Sequence, residues 1–144
     1  MEKIGFTGTR KGMTEHQFVR IHQLLLIEER HGPVLVIHGD CIGADADFHK
    51  IARGLGLQIR IRPTFKQRAY CEGADDIKEP VLDPLERNRL IVIDSDLMIA
   101  TPSGYGEQRR SGTWATIRYA RKIERHLVIV WPNGETTVEN RTYG

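Results

Sequence analysis

The sequence predicts an α/β protein: a Rossmann-like, three-layer α/β/α fold with a mostly parallel sheet of about five strands. Three observations carry that expectation. Short β-branched apolar runs alternate with amphipathic helical stretches, as in a parallel sheet covered on both faces. Two runs, Val34-Leu35-Val36-Ile37 and Leu127-Val128-Ile129-Val130, are apolar at every position, which suits strands buried on both sides. Three strand ends lead into glycine-rich loops, at residues 7–12, 39–43 and 102–113. Ligands in such folds sit outside the carboxyl ends of the strands.

A chain of 144 residues suits one domain with one sizeable core, spanning 1–144 with a polar tail over 135–144. Forty per cent apolar and 28% charged residues are ordinary for a soluble globular protein. With 21 basic and 19 acidic residues the net charge is +2, too balanced to argue for nucleic acid or a membrane. Two cysteines, Cys41 and Cys71, make no disulfide framework, so a reducing, cytoplasmic setting is expected. No run approaches the about 18 apolar residues of a membrane span. The opening MEKIGFTGTR enters a strand at once, unlike a signal peptide.

Lys3-Ile4-Gly5-Phe6 reads as a short buried strand that stops at the loop Thr7-Gly8-Thr9-Arg10-Lys11-Gly12. Thr14 and Gln17 form a capping box, and Phe18, Ile21 and Leu25 recur at helical spacing, so the first helix covers about 14–30. Gly32-Pro33 ends it. The Val34–Ile37 run is the second strand, and its loop is His38-Gly39-Asp40-Cys41-Ile42-Gly43. Ala44, Phe48, Ile51, Ala52 and Leu55 share one face of a second helix. Leu57 to Ile61 alternates as a strand near an edge. Residues 63–83 show no periodicity and are expected to be a long functional loop with room for a helical turn.

Leu85 to Ile93 is ambiguous between strand and helix. A strand would need a hairpin to the clear strand at Leu97 to Thr101, and Asp94-Ser95-Asp96 lacks the glycine such turns favour. A helix starting at Pro84 is preferred. A helix over 112–125, a last strand at Leu127 to Trp131 and a Pro132-Asn133-Gly134 turn complete the chain.

The loops are where chemistry is expected. A strand, a small-residue loop and a helix N-terminus make an anion site, because the first N–H groups of a helix lack partners and the dipole favours negative charge. Ser111-Gly112-Thr113 fits that pattern best. In the first loop, Gly8 and Thr9 offer donors and Arg10 a charged fork for phosphate. Its spacing is neither the dinucleotide fingerprint nor a P-loop. In the second, Gly39 and Gly43 permit close approach, and Asp40 or Asp45 can accept from ribose hydroxyls or a base amine. Asp45 also suits a helix start. A metal reading of His38, Asp40, Cys41, Asp45 and His49 matches no familiar zinc spacing, so no metal and no cofactor are expected. Trp114 and Tyr105 could stack on a base, although a Trp at a helix start more often packs. Arg118, Arg121 and Arg125 form a stripe that is either a solvated face or a partner surface. One cation of Arg87-Asn88-Arg89 could reach across the site.

Together, Gly5-Phe6-Thr7-Gly8-Thr9-Arg10, His38-Gly39-x-x-x-Gly43-Ala44-Asp45, Arg87-Asn88-Arg89, Ile99-Ala100-Thr101-Pro102 and Ser111-Gly112-Thr113-Trp114 resemble the SLOG superfamily. That group includes DNA-processing protein A and lysine-decarboxylase-like phosphoribohydrolases, and the likeness is greatest to its small stand-alone members in bacteria and phages. It spans residues 4 to 131. It implies a nucleotide or nucleotide-derived ligand, a homodimer, and an Arg-bearing helix before the strand at 97–101.

The sequence departs from the phosphoribohydrolases at their P-G-G-x-G-T-x-x-E motif. Starting from Pro102, Arg109 or Arg110 occupies the place of the acid; starting from Ser111, Thr116 does. An oxocarbenium-like charge needs a nearby anion or acid–base group. The expected function is therefore binding of a phosphorylated nucleotide or nucleotide-derived signal rather than turnover. Gly8, Thr9, Arg10, Gly39, Gly43, Pro102, Ser111, Gly112 and Thr113 would hold phosphate and sugar, and Asp40, Asp45 and Arg87 would be polar selectors. The alternatives are a nucleoside 5′-monophosphate phosphoribohydrolase or N-glycosidase using Glu107 or Asp40, and a DNA-binding protein using the basic stripe.

Overall fold

The structure, a computed structural model, describes residues 1–71, 73 and 76–141. Its strands are β1 (Glu2–Gly8), β2 (Val34–His38), β3 (Gln58–Ile61), β4 (Ile77–Lys78), β5 (Leu97–Thr101), β6 (His126–Val130) and β7 (Thr136–Glu139). They form one sheet in the order β4-β3-β2-β1-β5-β6-β7. Every pair is parallel except β6 with β7. The helices α1 (Glu15–Arg30) and α2 (Ala44–Gly54) cover one face, and α3 (Pro84–Ile93) and α4 (Gly112–Lys122) cover the other.

The apolar runs serve two cores at once. In β2, Val34 and Val36 pack with α1 and α2, while Leu35 and Ile37 pack with α3 and α4. In β5, Leu97 and Ile99 oppose Met98 and Ala100; in β6, Val128 and Val130 oppose Leu127 and Ile129. A strand covered on both sides has no face to leave polar, so its two-residue period disappears from the sequence.

Among the described residues the sheet has seven strands, two beyond the expected five, and both additions come from stretches without an apolar signature. β4 is two exposed residues within 63–83, paired with β3. β7 lies in the polar stretch after residue 135, where Thr136 pairs with Val130 and Glu139 with Leu127. Residues 142–144 of that stretch lie outside the described residues.

Local signals set the helix starts. Thr14 and Gln17 exchange the two bonds of a capping box. The buried Gln17 amide also donates to the carbonyls of Pro102 and Val130, both at 2.9 Å, tying the first turn of α1 to the ends of β5 and β6. Asp83 caps α3, with Pro84 at its first position, so Leu85 to Ile93 is helical as expected. The turn after it is held by cations. Asp94 accepts from Arg60 (2.5 Å), Arg62 (3.2 Å) and Lys3 (3.3 Å), and Asp96 from the Lys3 backbone N–H (2.8 Å).

β1 is central. The chain moves outward from it through β2, β3 and β4, then returns on its other side as β5. The loop after β1 leads to α1 on one face, and the loop after β5 leads to α4 on the other. Their divergence opens a crevice at the carboxyl ends of the strands.

Candidate functional site

A cleft of about 470 Å³ occupies that crevice, a volume within the range of small-ligand sites. It gathers Gly8, Thr9 and Arg10 from the first loop, and Gly39 and Asp45 from the second. Arg87 of α3 and Ser111, Gly112 and Thr113 at the start of α4 complete the set brought together from the sequence-derived residues. Asp40, Gly43, Pro102 and Glu107 do not line it.

Each of those four has another place. Gly43 has φ +89°, and a Cβ there would stand 2.3 Å from the Arg10 carbonyl oxygen. It lets the first loop seat on the start of α2, where the Ala44 N–H donates to Thr9 O (2.9 Å). Pro102 offers its carbonyl to Gln17. Asp40 is fully buried, and its carboxylate accepts from Arg68 Nε (3.1 Å) and Nη2 (3.0 Å) and from the Cys71 N–H (3.0 Å) and Sγ (2.9 Å). Burial pushes its pKa up, but the bonds from Cys71 and Arg68 outweigh that and hold it below the usual value. Glu107 meets Arg118 (3.3 Å) and Arg121 (3.8 Å) on α4.

Asp45 and Arg87 form the buried electrostatic part of the cleft. Asp45 Oδ2 accepts the N–H groups of Gly39 and Cys41, both at 3.1 Å, bracing the loop after β2. Burial raises its pKa to about 6, against the pull of Arg87 and the two backbone donors. Arg87 donates through Nη1 to the carbonyls of Gly39 (2.6 Å) and Arg62 (3.3 Å), through Nε to Asn88 Oδ1 (2.7 Å), and through Nη2 to Cys41 Sγ (3.5 Å). Gly39 makes room for it, since a Cβ there would lie 2.4 Å from Arg87 Nη1. Burial, then the neighbouring Asp45, push the Cys41 thiol up.

Behind this wall lies a buried histidine pair. His38 Nδ1 accepts the Asp40 backbone N–H (2.9 Å), which puts the ring proton on Nε2 and directs it at His49 Nδ1 (2.9 Å). His49 then turns Nε2 toward Asp76, 3.6 Å away. Burial, then the neighbouring His49, lower the pKa of His38 to about 3, so this ring stays neutral. His38, His49 and Cys71 place their ligand atoms within 4.8 Å of one another. A neutral imidazole needs a bare nitrogen toward a metal, however, and His38 points a proton there.

One wall comes from the expected functional loop over 63–83, though the sequence singled out none of its residues. Residues 64–71 run alongside the second loop: Ile42 N–H donates to Gln67 O (2.9 Å), Ala69 N–H donates to Asp40 O (2.7 Å), and Arg10 bonds the Gln67 side chain. Thr64, Lys66 and Gln67 thereby line the cleft. Lys11, Asn88 and Arg110 line it as well, beside residues already singled out.

The opposite lip is the start of α4. Ser111 caps it through Oγ to the Trp114 N–H (3.3 Å), leaving the N–H groups of Gly112 and Thr113 without a partner among the described residues. The loop before it is anchored outward. Tyr105 stacks on Trp131 (6.2 Å between centroids), Trp131 contacts Trp114 (6.1 Å), and Trp114 is buried in the core beneath α4. The basic stripe is largely occupied: Arg121 makes a two-pronged bond to Glu139 (2.8 Å each), and Arg125 donates to Ile93 O.

No protein-family model and no curated protein sequence matches the chain. Solved structures do. DNA processing protein A from Streptococcus pneumoniae is similar over 90% of this chain, with TM-score 0.68 and 18% identity. This chain spans 50% of that protein's length. The Moco carrier protein from Chlamydomonas reinhardtii matches over 89% of this chain and 75% of its own, with TM-score 0.65 and 22% identity. The molybdenum cofactor binding protein from Rippkaea orientalis matches over 90% and 76%, with TM-score 0.64 and 18% identity. The chain shares the Rossmann-like fold of these structures. No helix is long and apolar enough to cross a membrane among the described residues.

Proposed function

We propose that this SLOG-type chain binds a phosphorylated nucleotide or nucleotide-derived ligand in the cleft, with phosphate at the first turn of α4 and the sugar and base toward the loops after β1 and β2. One observation carries the proposal. Among the described residues, five cations line the cleft (Arg10, Lys11, Lys66, Arg87 and Arg110) against one carboxylate, Asp45. They do so at a helix start whose first two N–H groups are open. Cations and free helix N–H groups in one concavity favour an anion of phosphate type. A homodimer is proposed with it on the resemblance alone, and sedimentation velocity reads it directly.

Calorimetry against nucleoside mono- and diphosphates, ADP-ribose and cyclic nucleotides tests the proposal, with the matching unphosphorylated nucleosides as controls. A phosphorylated compound is expected to bind at least about tenfold more tightly than its nucleoside, since one charge-assisted contact is worth about that much. No binding by any of them overturns the proposal.

A second reading, an N-glycosidase acting on nucleoside 5′-monophosphates, is favoured by Asp45. It lines the cleft, and a carboxyl with pKa about 6 is suited to acid–base work near neutrality. Base release that stops in Asp45→Asn supports that reading; intact monophosphates after long incubation count against it. DNA binding through the stripe on α4 is less favoured, because Arg121 is committed to Glu139.

A further inference from the structure

We infer that the cleft is one half of a two-anion site, and that its ligand carries a second, separate phosphate, as a 5′-phosphorylated dinucleotide does. The inference rests on the nucleotide reading above and deepens it. A groove of about 200 Å³ runs between α3 and α4. Asn88 and Thr116 line both this groove and the cleft, so the two hollows adjoin across a saddle formed by these side chains.

The groove is cationic. Among the described residues Arg89, Arg118 and Lys122 line it, and no carboxylate does. Glu107 takes up part of the charge of Arg118 (3.3 Å). Arg89 lies over the Tyr119 ring, 5.3 Å from its centroid, and it and Lys122 have no acidic partner among the described residues. Uncompensated cations gathered in a concavity raise its attraction for an anion.

The saddle suits the 3′ side of the first sugar, from which the second phosphate leaves toward the groove while the first base stays toward the loops after β1 and β2. Asn88 Oδ1 is occupied by Arg87 Nε (2.7 Å), leaving the amide NH₂ as a donor pair at the junction. Tyr119 lines the groove with Arg89 over its ring, an aromatic and cationic surface against which a second base can rest. A mononucleotide seated at the start of α4 would leave this groove unused. A ligand with a second phosphate fills both hollows.

The test compares a nucleoside 5′-monophosphate with the corresponding 5′-phosphorylated dinucleotide by calorimetry, on the full chain and on Arg89→Ala/Lys122→Ala. Both side chains lie on the surface of their helices, and circular dichroism confirms folding of the variant. The dinucleotide is expected to bind about tenfold more tightly, the value of one good charged contact. The double variant is expected to bring that ratio to about one. Equal affinities in the unaltered protein overturn the inference while leaving the nucleotide reading standing, and so does a ratio untouched by the double variant. A 12-mer oligonucleotide that gains far beyond the dinucleotide overturns it in favour of a polynucleotide track. Binding by neither small ligand means that the nucleotide reading has failed, and the inference with it.

Discussion

The two walls of the cleft are built on opposite principles. On the side of β2, the polar groups are largely spent on one another. Asp40 takes four bonds from Arg68 and Cys71, Asp45 takes two backbone N–H groups, and Arg87 gives four bonds to its neighbours. On the side of α4, Gly112 and Thr113 line the cleft, and their N–H groups have no partner among the described residues. A buried polar network holds a shape, because each member loses several kcal/mol if stranded. An open helix end holds nothing until a ligand arrives. The first wall therefore sets geometry, and in the proposed function the second supplies affinity.

Substitutions on the first wall should damage the fold before they damage binding. Gly43→Ala is expected to cost most, about 4 kcal/mol, since it combines a strained left-handed φ with a contact against the Arg10 backbone. Urea denaturation reads this as a lower midpoint with little change in slope. A loss under about 1 kcal/mol would mean that the first loop is not seated on α2 as described.

Asp45 comes next and is read through pH. Its pKa is about 6 in the folded chain against an ordinary value of 3.8, so the folded state holds the proton more tightly. Its contribution is complete below about pH 4 and lost as pH rises through about 6, a loss of about 3 kcal/mol. Asp45→Asn keeps an acceptor for the Gly39 and Cys41 N–H groups and removes the titration. The stability of the variant relative to the unaltered protein should climb between pH 4 and 7, and a flat difference would sink the assignment. Asp40→Ala should cost about 2 kcal/mol and speed hydrogen exchange in residues 64–71, with α4 unaffected.

Glu107→Gln should be nearly silent, under about 0.5 kcal/mol, because its pairs with Arg118 and Arg121 are half exposed. The same variant should leave nucleotide affinity unchanged, since Glu107 does not line the cleft. A tenfold loss of affinity would place it in the site after all.

What could be read beforehand was local. The Thr14–Gln17 capping box, Pro84 at a helix start and the all-apolar runs each follow from neighbours in sequence, and each stands in the fold. The meeting of three loops follows from strand alternation alone. The rest depends on partners far apart along the chain. Nothing near Asp40 tells that Arg68 and Cys71 claim its carboxylate, and nothing near Gly39 tells that Arg87 needs the room. Residues 64–71 also bond to the second loop through backbone groups, at Gln67 and Ala69, which leave no mark on residue type. β7 was hidden for the same reason, its side chains being mostly polar and exposed.

The most direct test of the division between walls is Gly112→Asp. A Cβ at Gly112 meets nothing within 4 Å, and a carboxylate at the first helical position is favoured by the dipole by up to about 1 kcal/mol. Stability and nucleotide affinity are measured on the same sample, by denaturation and calorimetry. The expected result is a denaturation midpoint equal to or above that of the unaltered protein, with affinity for the phosphorylated ligand lower by about a hundredfold. Affinity within about twofold of the original, in a protein of unchanged stability, would contradict the placement of phosphate at the start of α4.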